Sequence, residues 1–203
     1  MKTPSFWLWF MANEKTLKKL HSLSEKKREE LMYWFSTHLD YFNPQIGYRL
    51  MIPPNSQELP TLAFTTNGDL EARKHILHLM ETAPKTKDWI ISATITSLAE
   101  EDPNYYEKEY CIEGVCCRPS NIKFWGELID LNTKQLVLGI IFNFPIKEVQ
   151  PDLLHHIISI VLIDTLGEQL YDRYIKDFII YTQIPEDEDL FELYELKMYL
   201  EGL

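Results

Sequence analysis

Residues 62–89, LAFTTNGDLEARKHILHLMETAPKTKDW, are the part of the chain most informative about its fold. The stretch predicts a strand, a turn at Asn67-Gly68, a helix that Pro84 ends, and the start of a second strand. The helix, predicted over 69–83, carries apolar residues at helical spacing along one side: Ala72, Ile76, Leu79, Met80 and Ala83. A strand, a helix and a strand in this order are consistent with an α+β class.

The flanking sequence extends this stretch into a β-β-α-β unit over 45–96. Strands are predicted at 46–52, 59–66 and 89–96, where the apolar residues alternate or form short runs. Before the unit, residues 1–42 predict a helical hairpin with helices at 4–21 and 24–41. Thr3-Pro4 and Ser24 give the two helix starts, and Asn43-Pro44 gives the stop.

The second half predicts the same order of elements. Residues 97–120 are polar and acidic, and we interpret them as a long loop with one short strand at 110–112. Residues 121–203 predict strands at 122–130, 135–144 and 176–183, with helices at 152–166 and 189–200. Helix 152–166 is apolar on nearly all sides, so we expect it to lie buried between the sheet and the helical hairpin.

Together these elements predict an α+β protein with a single domain over 1–203. We expect one mixed, largely antiparallel sheet, built from two β-β-α-β units and preceded by the helical hairpin. Two separate cores divided near 97–120 would contradict this expectation.

The charge of the chain is acidic and unevenly distributed. Its formal net charge is −11 over 203 residues, yet residues 1–50 carry 8 Lys/Arg against 5 Asp/Glu. Such a surface repels polyanions, so we expect no nucleic-acid partner. Two interpretations stay open: a solvated acidic surface, or an acidic surface that binds a basic partner protein.

Cysteine usage and hydropathy predict a cytoplasmic location. Cys111, Cys116 and Cys117 are an odd number close together, which favours reduced thiols over a disulfide framework. Their C-x4-C-C spacing is not that of a zinc site, so we expect no metal. The apolar run 5–12 is too short and bulky for a signal peptide, and no run has the ~20 residues needed to cross a bilayer.

No catalytic or cofactor-binding residue is assigned from motifs, and no cofactor is expected. The phosphate-binding, dinucleotide-binding, nucleophile-elbow and zinc-protease fingerprints do not occur in the sequence. The candidates that come nearest to a catalytic group are His156, Asp164 and Glu168, spaced at helical intervals on the apolar helix, where burial can perturb their pKa values. His156 and Asp164 are ~12 Å apart along the helix, so a structural role for the acid is the competing interpretation.

Three segments carry a family resemblance. They are Phe6-Trp7-Leu8-Trp9-Phe10, the NPQI sequence at 43–46, and the strand–NG–helix–AP–xxW pattern of 62–89. The chain resembles a family of uncharacterised bacterial proteins of similar length that have a domain of unknown function. The resemblance implies an α+β fold and a bacterial cytoplasmic setting, and it implies no activity.

Three functions from different classes are therefore open. The first, which we favour, is a non-catalytic protein that binds a macromolecule, as an immunity protein or inhibitor does, through acidic residues 186–189 and 97–113. The second is an enzyme of unrecognised type that acts around 97–120 or the His156–Asp164 row. The third is a small-molecule binder with an aromatic pocket between the helical hairpin and the sheet. The sequence does not indicate the oligomeric state.

Overall fold

A computed structural model describes residues 5–53, 58–66, 69, 71–112, 114–130, 132–143, 149–185 and 188–203. The chain divides into two compact units, 1–95 and 96–203, where the sequence predicted one domain over 1–203. Each unit has its own cluster of buried hydrophobic residues. The α+β class is confirmed, because helices and mixed sheets occur in both units.

The first unit contains the helical hairpin and a three-stranded sheet. Its elements are α1 Ser5–Leu17, α2 Glu25–Asp40, β1 Gly47–Met51, β2 Thr61–Thr65, α3 Ala72–Met80 and β3 Ile90–Ser92. Strand β2 lies in the centre of the sheet, antiparallel to β1 and parallel to β3. The parallel pair requires a crossover, and α3 provides it.

Aromatic side chains from the hairpin fill the core of the first unit. Phe6, Trp7 and Phe10 of α1 are fully buried and contact one another, while Phe35 of α2 and Phe64 of β2 pack edge-on against Phe6. The Trp7 indole donates a hydrogen bond to the Leu79 carbonyl at the end of α3. These rings occupy the space between hairpin and sheet in which the sequence interpretation placed a ligand pocket.

The second unit contains a hairpin of two short strands and a four-stranded sheet. Its elements are α4 Leu98–Glu101, β4 Tyr110–Ile112, β5 Val115–Cys117, β6 Ile122–Asp130, β7 Gln135–Phe142, α5 Pro151–Leu166, α6 Glu168–Tyr174, β8 Ile175–Tyr181, β9 Phe191–Glu192 and α7 Leu196–Glu201. The sheet order is β8-β7-β6-β9, with β7 and β8 parallel and the other pairs antiparallel.

Helix α5 is the central helix of the second core. Leu154, Ile157, Ile158, Val161 and Leu162 are buried in one cluster with side chains of β6, β7 and β8. The predicted place of this helix in a core is confirmed, but burial on nearly all sides is not, because His155 and His156 are exposed and Ile160 and Ile163 are only partly buried. The expected position of α5 against the helical hairpin stays a prediction; the buried side chains of the hairpin belong to the core cluster of the first unit.

The expectation of a single sheet is also wrong. The described strands form three sheets, of three, two and four strands. The predicted β-β-α-β order is present in each half, and the strands of each half form sheets of their own.

The segment 97–120 is not the long loop that its polarity predicted. It contains α4, the β4–β5 hairpin and 3-10 turns at Tyr105–Glu107 and Pro119–Asn121, and only β4 coincides with the short strand predicted at 110–112. Ser97 explains the start of α4, because its hydroxyl accepts a hydrogen bond from the Glu100 amide at 3.3 Å. The predicted closing helix at 189–200 is also shorter, since Phe191 pairs with Phe124 as β9 and α7 begins only at Leu196.

Among the described residues, no single helix has both the length and the apolar composition to cross a membrane. The pair α5–α6, whose axes make an angle of 109°, meets these two criteria only when both helices are counted together.

Candidate functional site

The sequence-predicted acid Asp164 lies inside the second unit and is only 2% exposed. Its Oδ2 accepts a hydrogen bond of 2.8 Å from the Tyr110 hydroxyl, which reaches it from β4. Tyr110 and Cys117 are paired across the β4–β5 hairpin, and Cys117 is buried in the second core. The hairpin therefore presents one face to the core, and that face supplies the donor for the carboxylate.

Further hydroxyl groups surround this part of α5. The Tyr105 hydroxyl donates to the Val161 carbonyl at 3.0 Å and lies 3.2 Å from Thr165 Oγ1. The Ser97 hydroxyl donates to the Thr165 carbonyl at 2.7 Å. These bonds connect the start of segment 97–120 to the last turn of α5, so they fix the segment in place.

Burial changes the acidity of the two tyrosines. Desolvation raises the pKa of Tyr110, and the negative charge of Asp164 raises it further. Desolvation also raises the pKa of Tyr105, opposed by its hydrogen bond with Thr165. Both hydroxyl groups are thus neutral donors over the physiological pH range, and neither serves as a base there.

The structure does not assemble His156, Asp164 and Glu168 into one site. His156 is exposed on α5, whereas Asp164 and Glu168 are buried. Gly167, with a φ of 75°, ends α5 directly after the predicted bound at 166, and Glu168 begins the separate helix α6. The row of candidates is therefore broken by a bend of the chain and by a difference in burial.

The cysteines differ from the expectation of reduced thiols. Cys111 and Cys116 form a disulfide, and only Cys117 is a free thiol, buried in the core. The predicted redox state is wrong because the β4–β5 hairpin sets Cys111 directly opposite Cys116, with Cα atoms 4.1 Å apart. Gly114, with a φ of 83°, forms part of the tight turn between the strands. Cys117 points to the opposite side from Cys116, as alternation along a strand requires.

The acidic segments proposed as binding patches are partly described. Glu100, Glu101, Glu107 and Glu109 are exposed on segment 97–113, although Glu100 is paired with Lys197. Glu188 and Asp189 are exposed, while residues 186–187 and residue 113 lie outside the described part of the chain.

A surface of α2, which we call the α2 face, was not found by the sequence analysis. The α2 face consists of Glu29, Glu30, Tyr33, Trp34, Asp40 and Tyr41, all exposed on or next to the helix. Tyr33 is 64% exposed, Trp34 45% and Tyr41 77%. From the sequence, Leu31, Met32, Trp34, Phe35 and Leu39 are expected as the apolar residues of this helix, and the structure buries Phe35 and Leu39 but exposes Trp34. Tyr33 and Tyr41 are eight residues apart and lie on the side of the helix opposite Phe35 and Leu39. This spacing is the sequence signal that identifies the α2 face.

His38 joins the aromatic residues of the α2 face. Its ring stacks on Trp9 at 5.5 Å and contacts Trp34 and Tyr41 at 6.2 Å and 6.3 Å between ring centroids. The Nδ1 atom of His38 is buried and makes no hydrogen bond within the described residues. The contacts hold the Trp34 and Tyr41 rings against a fixed neighbour while leaving their outer surfaces exposed.

Comparisons with protein-family models, with curated proteins and with solved structures found no match. The resemblance to a family of bacterial proteins therefore stays a prediction.

Proposed function

We propose that the protein binds another macromolecule and is not a catalyst, and that its partner is a basic protein. The observation that carries the proposal is the α2 face, where three large aromatic side chains are exposed beside three carboxylates. Tyrosine and tryptophan are enriched at protein interfaces and dominate their binding energy, because they bury a large area at little entropic cost. Soluble proteins expose few such clusters without a binding role.

The charge of the α2 face favours a cationic partner. Residues 29–48 include Glu29, Glu30 and Asp40 but no lysine or arginine, whereas Lys26, Lys27 and Arg28 are exposed in the first turn of the same helix. None of these three carboxylates forms an ion pair with a residue that the structure describes. Glu29 and Glu30 lie one helical turn from Tyr33 and Trp34, so a partner arginine has a carboxylate and an aromatic ring within reach.

The net charge of the second unit supports the same class of partner. Residues 96–203 contain 21 Asp/Glu against 8 Lys/Arg, while residues 1–95 contain 10 against 12. A net charge of −13 on one unit attracts basic proteins over a distance of about 10 Å at ordinary ionic strength.

The non-catalytic part of the proposal rests on the positions of the residues that the sequence analysis considered for catalysis. Asp164 is buried and accepts a hydrogen bond from Tyr110, and His156 is exposed elsewhere on α5. A general acid–base pair must meet at one point, and these groups do not. The cytoplasmic setting belongs to the proposal as well.

A peptide titration tests the proposal. An arginine-rich peptide and a glutamate-rich peptide of equal length are titrated into the protein by calorimetry at low and at high salt. We expect the arginine-rich peptide to bind, with affinity that falls as salt rises. Trp34→Ala and Tyr41→Ala should each weaken binding by ~10-fold.

Tyr194→Ala is the matched control, because Tyr194 is 60% exposed in the second unit, outside the α2 face. This variant should bind as the wild type does. Equal binding by all four proteins, or no binding of the arginine-rich peptide to the wild type, would contradict the proposal.

A further inference from the structure

The outer side of the β4–β5 hairpin brings three metal-binding side chains together. The carboxylate of Glu109 and the sulfur atoms of Cys111 and Cys116 lie within 4.8 Å of one another. All three residues are exposed. The Glu109 Oε2 atom is 3.9 Å from Cys111 Sγ.

The hairpin brings these three residues together, although their spacing along the sequence is not that of a zinc-binding motif. Cys111 and Cys116 face each other across the two strands, and Glu109 precedes Cys111 by two residues, on the same side of the chain. Tyr110 and Cys117 face the other way, into the protein. The outer side thus carries two sulfur ligands and one oxygen ligand, while the inner side anchors the hairpin.

We infer that, when its disulfide is reduced, the hairpin binds one thiophilic divalent cation of the zinc type through Cys111, Cys116 and Glu109. Reduction by a dithiol transfers two electrons and two protons to the disulfide, which gives two cysteine thiols and one oxidised dithiol. Metal binding then displaces the two thiol protons into solution, because the thiolate is the ligand. The ligand atoms of a tetrahedral zinc site lie roughly 3.5–3.8 Å apart. The observed cluster reaches that spacing by rotation of the exposed side chains, and water completes the coordination.

The site therefore has two alternative states, a disulfide and a metal complex. The disulfide is exposed, so a dithiol has access to it without unfolding of the hairpin. The expectation of no metal site came from the C-x4-C-C spacing. In the hairpin, Cys111 and Cys116 are five residues apart in sequence but lie opposite each other on the two strands.

Cobalt(II) and zinc(II) are the probes for the test. The purified protein is reduced with a dithiol, the reductant is removed anaerobically, and each metal is added before gel filtration. We expect one metal per chain by elemental analysis, with the thiolate-to-cobalt charge-transfer absorption, in the reduced protein and none in the oxidised protein. Cys111→Ser and Cys116→Ser should abolish this absorption, and Glu109→Gln should weaken zinc binding by at least ~10-fold.

Glu107→Gln is the matched control, because Glu107 is exposed two residues before Glu109 and lies outside the cluster. It should leave metal binding unchanged, and far-UV circular dichroism should show that all variants are folded. Absence of stoichiometric metal from the reduced wild type would overturn the inference. Metal binding that survives Cys116→Ser in a folded protein would overturn it as well.

Discussion

Tyr110 directs its hydroxyl at a carboxylate that has almost no contact with solvent. Tyr110→Phe removes the donor and leaves the Asp164 oxygen with one hydrogen bond fewer in a buried setting. We expect the free energy of unfolding to fall by ~1–3 kcal/mol. Chemical denaturation measures the change, and Tyr194→Phe, at an exposed position, should leave the midpoint unaltered. Equal midpoints for Tyr110→Phe and the wild type would show that the bond contributes nothing.

The same tyrosines predict alkaline sensitivity. Burial holds the pKa of Tyr105 and of Tyr110 above the ordinary value of 10.0. Above about pH 10 the unfolded chain loses these two protons while the folded protein keeps them, so rising pH favours unfolding. The contribution of these two hydroxyl groups to the free energy of unfolding is therefore complete below about pH 10 and falls as the pH rises above it. Thermal unfolding is measured between pH 8 and pH 11, about every half pH unit. The melting temperature should fall less steeply with pH in Tyr110→Phe than in the wild type. An identical slope in both proteins would contradict this assignment.

Gly139 leaves room for an aromatic ring. A Cβ at this position would overlap the indole of Trp125, which is its cross-strand partner and is buried on the sheet. Gly139→Ala should therefore cost ~1–3 kcal/mol through displacement of the indole. Gly202→Ala is the control, because a Cβ there meets only ordinary contacts. Near-ultraviolet circular dichroism should report the moved Trp125, and an unchanged spectrum and stability would count against the contact.

The candidate site could be predicted from the sequence only in part. Asp164 is identifiable because a charged residue stands out on an apolar helix. Its partner Tyr110 is 54 residues earlier, and Ser97 and Tyr105 reach the same turn from 56 to 68 residues away. No local pattern encodes such contacts, since they depend on tertiary packing.

At the level of elements, α5 contributes most to the second core. Ile158 is fully buried on it, whereas Ile160 is only partly buried. We expect Ile158→Ala to lower the free energy of unfolding by ~2–5 kcal/mol and Ile160→Ala by clearly less. Urea denaturation of both variants measures the difference. A larger loss in Ile160→Ala would show that the helix is rotated from the orientation described.

Elements with strong periodicity were predicted well. Strand β6 has its predicted bounds, and β7 and α5 differ from theirs by one or two residues, because apolar runs and proline stops define them locally. The short α4, β5, α6 and β9 were missed. A hydrogen bond from Ser97 to the distant Thr165 stabilises the start of α4, and pairing with the distant strand β6 stabilises β9. Segments of this length have too few residues for a period to show.

For the whole molecule, the two units share a topology and differ in charge. In each, an antiparallel pair is followed by a helical crossover to a parallel strand, which gives the orders β1-β2-β3 and β6-β7-β8. The sequence predicted this shared order but not that the described strands form separate sheets, because nothing in the strand patterns shows which edges pair. The charge is +2 over residues 1–95 and −13 over 96–203, so under the proposed function the second unit would supply most of the long-range attraction and the first unit the aromatic contact.

Capture of a partner from the native cells tests most directly the central claim that the protein binds a basic macromolecule through the α2 face. The bait proteins are the wild type, the double variant Trp34→Ala/Tyr41→Ala and the control Tyr194→Ala, each at low and high salt. We expect the wild type and Tyr194→Ala to recover the same basic protein at low salt, high salt to release it, and the double variant to fail to recover it. Recovery of no basic protein by any bait, together with turnover in a broad hydrolase screen that His156→Ala or Asp164→Asn abolishes, would contradict the account.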